Sequence, residues 1–172
     1  MIGPIHRFLA EDHIRLEDLL ARAIAGPGGF DLNAYGEFRA GLLRHIGMEE
    51  TILIPAAQSA GGRDQLPMAA KLRLDHGALA ALLVPPPSLD ITAAISAILS
   101  GHNPLEEGSG GLYETCEHLV GNGVEALLEV LRNAPYPRLK PHVSGPGILD
   151  ATRRTLTRAG YDLDELVSRG NH

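Results

Sequence analysis

His45-Ile46-Gly47-Met48-Glu49-Glu50 and His102-Asn103-Pro104-Leu105-Glu106-Glu107 are two copies of one pattern, a histidine followed four residues later by paired glutamates. Upstream of each copy lies a second shared pattern, Asp12-His13-Ile14-Arg15-Leu16 with Leu19-Leu20 and Asp75-His76-Gly77-Ala78-Leu79 with Leu82-Leu83. His76 follows His13 by 63 residues and His102 follows His45 by 57. A unit of about 60 residues therefore occurs twice in the same order, which predicts two helical hairpins related by approximate twofold symmetry.

The flanking sequence supports helices. Ile5, Leu9, Leu16, Leu19, Leu20 and Ala23 recur at helical spacing, and the segment stops at Gly26-Pro27-Gly28-Gly29, which no helix crosses. Asp31 is placed to cap a second segment through Tyr35, Phe38, Leu42, Leu43, Ile46, Ile52 and Leu53, ending near Pro55 or reaching toward Ser59 before Gly61-Gly62 closes it. Pro67 opens a third segment with Leu72, Leu74, Leu79, Leu82 and Leu83, stopped by Pro85-Pro86-Pro87. Ser88 or Asp90 caps a fourth through Ile91, Ile95, Ile98 and Leu99. Gly108-Ser109-Gly110-Gly111 then interrupts the chain, and Leu112 to Leu131 reads as helix with weak points at Gly121 and Gly123. That stretch is either the rest of the fourth helix or a separate element. Pro135, Pro137, Pro141 and Pro146 mark a linker or surface-hugging loop, and Asp150 to Ser168 fits one last short helix.

The expected fold is all-α: an up-and-down four-helix bundle over residues 1–133, followed by a Pro/Gly-rich linker and short C-terminal helix over 134–172. Composition agrees. The chain has 172 residues, enough for one domain with a core, and is 44% hydrophobic with 4% aromatic residues and no tryptophan, which favours helix on helix. With 21 acidic against 15 basic residues and no basic run, a nucleic-acid partner is excluded on charge. No run of about 18 apolar residues and no basic-then-apolar start is present, so the expectation is a soluble, cytoplasmic protein without a membrane partner. The single cysteine, Cys116, reads as a buried, inert thiol.

The chemistry follows from where the repeat places its polar groups. In HxxxE the two side chains sit one helical turn apart on one face, close enough to bind one ion. HxxxE alone is weak, since His13 and Glu17 match it too; four histidines in two repeated contexts are not. Each hairpin supplies two histidines and one glutamate, and together His13, His45, His76, His102, Glu49 and Glu106 offer four neutral nitrogens and two carboxylates. Such a set suits two borderline metal ions, with carboxylates able to bridge them. His6, His118 and His142 read as surface or structural, Tyr35 and Tyr113 as core residues with satisfied hydroxyls by default and otherwise as hydrogen-bond partners near a bound ligand, and Glu50 and Glu107 as support for ligands or exposed.

At these positions the sequence resembles the hemerythrin-like family, or HHE cation-binding domain, whose pattern is H, HxxxE, H, HxxxE on four successive helices. The likeness runs from about Ile5 to Val120; Glu49-Glu50 with Leu53-Ile54-Pro55 is similar to the family's EExxLYP ending. The resemblance implies two iron ions, oxo- or hydroxo-bridged, with the four histidines as terminal ligands and Glu49 and Glu106 as bridges; zinc or another divalent metal would also suit the ligands. Leu72 and Ala80 flank His76 where oxygen-carrying members place a further histidine, and Glu106 stands in place of their aspartate. Both departures argue against a pure oxygen carrier. The second copy also has two extra residues between Glu107 and Leu112-Tyr113, which predicts a break or bulge after its ligands.

The leading expectation is a metal-binding protein that binds or senses dioxygen, nitric oxide or peroxide. The alternatives are a di-iron enzyme or iron-handling protein: a ferroxidase, a peroxide or nitrosative-stress defence, or iron storage. The C-terminal segment could cap the bundle, pack in a homodimer or bind a partner.

Overall fold

Prolines, glycines and short polar caps set most of the helix limits. The computed structural model describes residues 2–26 and 30–170, so the expected stop at Pro27-Gly28-Gly29 lies outside the described residues. Helix α1 spans Pro4–Ile24, with Pro4 in its first turn where no backbone donor is needed. Helix α2, Leu32–Met48, is capped by Asp31, whose carboxylate accepts from the amides of Asn33 and Ala34. It continues through one π turn, Glu49–Leu53, into α3, Ile54–Gly61, and stops at Gly62, whose φ of 87° favours glycine. Pro55 has no N–H to return to the previous turn, and the register shifts just before it, where the Ile54 amide donates to the Glu49 carbonyl.

Helix α4 spans Ala69–Leu82, and α5 spans Leu89–Glu107 with Ser88 Oγ accepting from the Ile91 amide at 3.2 Å. The expected break falls directly after the second HxxxEE: the turn Gly108–Gly111 ends α5, and α6 starts at Leu112 and ends at Val120. A single turn of 3-10 helix at Gly121–Gly123 joins it to α7, Val124–Arg132. In place of one last short helix there are two, α8 at Pro146–Arg158 and α9 at Leu163–Gly170. Gly160, at φ 86°, turns the chain between them. Among the described residues all regular structure is helical, with no strand, and no helix is long and apolar enough to cross a membrane.

Helix α1 packs on α2 and α5, α4 on α5 and α8, and α9 lies along α5. Gly170 sits against the backbone of Ala93, where any side chain would collide, which explains the close approach of α9 to α5. The segment between α7 and α8 is stapled down. Arg44 Nε donates to the Ala134 carbonyl at 2.8 Å, Arg39 Nη1 to the Lys140 carbonyl at 2.8 Å, and the Val143 amide to the Val84 carbonyl at 3.0 Å.

The core consists of two apolar clusters with a polar layer between them. Along α1, Ile5 and Leu9 belong to one cluster and Leu16, Leu19, Leu20 and Ala23 to the other, with His13 between. Along α2, Leu42 and Met48 belong to opposite clusters on either side of His45; along α4, Leu72 and Leu79 flank His76 in the same way. Along α5, Leu99 precedes His102 and Glu106, and Leu112 opens α6 in the opposite cluster. Each buried leucine contributes about 1.5–3 kcal/mol. The polar layer costs stability unless its groups are satisfied, so it calls for a chemical explanation.

Candidate metal centre

The layer brings together all six residues expected from the sequence. His13, His45, His76 and His102 are at most 4% exposed, and Glu49 and Glu106 are fully buried. Their donor atoms fall into two overlapping groups, His13, His45, Glu49 and Glu106, and His76, His102, Glu49 and Glu106; within each, every ligand atom lies within 4.8 Å of the others. The glutamates belong to both groups because their two oxygens face different histidines. Glu49 Oε1 lies 3.2 Å from His45 Nε2 and Oε2 lies 3.1 Å from His76 Nε2. Glu106 Oε2 lies 3.4 Å from His13 Nε2 and Oε1 lies 3.0 Å from His102 Nε2.

Each histidine is aimed by a carboxylate on its outer nitrogen. His45 Nδ1 donates to Asp12 at 2.9 Å, His102 Nδ1 to Asp75 at 3.3 Å, His76 Nδ1 to Glu50 at 2.7 Å, and His13 Nδ1 to Glu107 at 2.5 Å. The pairing obeys the repeat: the aspartate beside the first histidine of each copy holds the second histidine of that copy, and the second glutamate of each EE pair holds the first histidine of the other copy. With a proton fixed on Nδ1, each Nε2 presents its lone pair inward, as metal-bound histidines do. Further groups back the carboxylates. Arg15 Nε donates to Asp12 at 2.8 Å and Arg73 Nε to Glu50 at 3.0 Å, while Asp75 receives Lys71 and, at 2.8 Å, the hydroxyl of Tyr161 from the turn between α8 and α9.

The residues fit a metal centre on two observations. Among the described residues, Glu49 Oε2 and Glu106 Oε1 are buried with no hydrogen-bond partner; the ring nitrogens near them are close without being aligned to donate. His76 Nε2 and His102 Nε2 stand 3.2 Å apart. Two inward lone pairs at that distance repel unless a cation or proton lies beside them. A tight cluster of nitrogen and carboxylate oxygen suits borderline divalent ions such as iron and zinc.

Without a metal the cluster attracts protons. Burial alone would lower the histidine pKa values, but the carboxylates outweigh it, holding His45 at about 10, His76 at about 11 and His102 at about 9. Burial and mutual repulsion push Glu49 upward, and the surrounding histidines overcome both and keep it ionised. Glu106 is likewise held well below the usual carboxylate range, its burial outweighed by His102, His13 and His76. Burial and the two glutamates drive the Tyr113 phenol well above 10. Cys116 is buried in the same apolar cluster as Leu112 and Tyr113, its thiol pushed up to about 12 mainly by burial.

No family model matches the chain, and no curated protein or solved structure matches it. The buried His/Glu clusters could hold a metal ion on their own geometry.

Sequence reasoning left two groups of residues without a role. Asp12 and Asp75 were visible inside the repeated DHxxL pattern, and their duplication was the signal that they do more than face solvent. Tyr113 was visible as the counterpart of Ile54 beyond the two-residue insertion, and as a hydroxyl able to hydrogen-bond near a ligand, but core packing was the default reading. Tyr161 belongs to a segment outside the repeat and carried no such signal. His6 is half-buried and stacks edge-on against Tyr113 with ring centroids 5.6 Å apart, while His142 lies 6.0 Å from the ring of Tyr35.

Proposed function

We propose that the chain is a hemerythrin-like protein whose up-and-down four-helix bundle holds two iron ions and binds or senses dioxygen or a related small ligand such as nitric oxide or peroxide. The observation that carries this reading is the placement of Glu49 and Glu106, each with one oxygen toward one histidine pair and the other oxygen toward the second. Carboxylates so placed are suited to bridging. The bundle topology is supported by the core: successive long helices pass through the polar layer from alternate apolar clusters, as antiparallel neighbours do.

His13 and His45 would hold one ion and His76 and His102 the other, with Glu49 and Glu106 shared. Two irons there would supply one-electron redox chemistry and open positions for a small diatomic or peroxide ligand. The chain's own residues orient, neutralise and seal. Asp12, Asp75, Glu50 and Glu107 fix the ring tautomers, and the apolar clusters above and below exclude bulk water, which strengthens every electrostatic interaction in the layer. Arg15, Arg73 and Lys71 offset the outer carboxylates.

A second reading, a di-iron enzyme or iron-handling protein, draws on one feature. A cleft of about 390 Å³, lined by His6, Glu107, Ser109, Glu114 and Glu117 among others, reaches Glu107, the residue that holds His13. Protein expressed in iron-replete medium separates the readings by its metal content and its visible spectra when oxidised, reduced and re-exposed to air. Two irons and a stable air-exposed spectrum distinct from the oxidised one support binding or sensing. Immediate return to the diferric spectrum favours the enzyme, and absence of bound iron overturns the iron reading.

A further inference from the structure

The two halves of the centre have the same makeup, two histidines and the two shared glutamates, yet one half contains a further polar side chain. Tyr113 is fully buried in the first turn of α6, and its phenol oxygen enters the His13/His45 half. That oxygen lies 3.3 Å from His13 Nε2, 3.2 Å from His45 Nε2, 2.7 Å from Glu49 Oε1 and 3.2 Å from Glu106 Oε2. A phenol has a single proton to donate, which satisfies one of these four approaches. All four match a different relation: ligand atoms at right angles around one ion, each about 2.0–2.2 Å from it, lie about 3 Å from one another.

Among the described residues the opposite half has no equivalent. In the first copy of the motif the residue corresponding to Tyr113 is Ile54, in Leu53-Ile54 against Leu112-Tyr113, and Ile54 is fully buried with a side chain that carries no polar atom. Backbone geometry differs in step. In the first copy a π turn begins at Glu49, inside the motif, and the chain runs on without a break into α3, whereas after the second copy it turns at Gly108–Gly111, with Gly110 at φ 71°, and restarts as α6. The two-residue insertion thus accompanies a phenol directed into the centre.

We propose that Tyr113 is a metal ligand, its phenol oxygen coordinating the ion held by His13 and His45, so that the two ions occupy unlike environments. This rests on the two-metal reading above. On ferric binding the phenol O–H bond breaks, the proton passes to solvent, and the oxygen lone pair is donated to the ion; no electron transfer is involved. The His76/His102 ion then has the fewer protein ligands and is the one left open to a small molecule.

The full chain, loaded with ferrous iron in air to the diferric state, tests this by metal count and by resonance Raman with excitation in the visible band. The wild type should carry two irons and show enhanced phenolate ring modes that shift when the protein is prepared with ring-deuterated tyrosine. Tyr113→Phe should lose those modes. The chain has four tyrosines, so a Y35F/Y136F variant, which leaves Tyr161 in place with its hydroxyl on Asp75 rather than in the centre, should keep them; this arm is read even if Tyr113→Phe folds poorly. Iron-loaded wild type without phenolate modes, modes that survive in Tyr113→Phe, or modes missing from iron-loaded Y35F/Y136F would overturn the ligand assignment while leaving the two-metal reading intact. A wild type that binds no iron would overturn both.

Discussion

Replacing Asp12 by asparagine keeps the side-chain volume and removes the charge that faces His45. Asp12 is 9% exposed, and one oxygen accepts from His45 Nδ1 at 2.9 Å while the other accepts from Arg15 Nε at 2.8 Å. An amide oxygen still accepts a hydrogen bond, but it no longer raises the basicity of the ring, and the amide can rotate to offer a donor where Nδ1–H now points. Loss of such an outer partner typically weakens metal binding by about 10–100-fold, or about 1.4–2.7 kcal/mol. The effect should fall on one ion, because Asp12 holds a histidine of one half only; Asp75→Asn should strike the other, through His102. Competition titration with a chelator of known affinity should therefore show one site weakened 10–100-fold and the second within about threefold in each single variant, with both weakened in the double variant. Unchanged affinities, or equal loss at both sites from Asp12→Asn alone, would refute the view that each half is oriented by its own aspartate.

The metal-free protein should have a distinctive pH dependence. His45, His76 and His102 are held near 10, 11 and 9 in the folded state, against about 6.5 unfolded, so their contribution to stability is complete below pH 6.5 and is lost as pH rises through 9 to 11. Thermal melts should show the metal-free form losing stability from neutral to alkaline pH, while the metal-loaded form, whose histidines are neutral, resists that loss. The same three histidines should release protons on metal uptake at neutral pH, read by calorimetry in buffers of different ionisation enthalpy. Tyr161→Phe removes the hydroxyl that donates to Asp75; urea unfolding should record about 1 kcal/mol of lost stability, and metal affinity should fall at the His102 half. Leu79→Ala, which opens a cavity at a fully buried position one turn from His76, should cost about 2–5 kcal/mol in denaturant unfolding.

Helices and their limits were readable because they depend on neighbours in sequence. Asp31 and Ser88 cap the helices they precede, and glycines and prolines stop them, through contacts spanning a few residues. The six clustered residues were readable for a related reason. Four-residue spacing puts His45 above Glu49 and His102 above Glu106 within single helices, and the duplication showed that the two pairs answer to one constraint.

What the linear order could not supply were contacts between residues far apart in the chain. Glu107 holds His13 across 94 positions, Asp75 holds His102 across 27, and Tyr161 holds Asp75 across 86. Periodicity places a side chain on a face of its helix and is silent about what that face meets. The π turn before Pro55, the turn at Gly108–Gly111 that brings Tyr113 into one half, and the docking of α8 and α9 on α4 and α5 were settled only by packing. The sequence alone thus determined which residues could reach a common centre, since helical geometry is local; the tertiary structure decided which carboxylate steadies which histidine and made the two halves unequal, since those partners are chosen by helix packing.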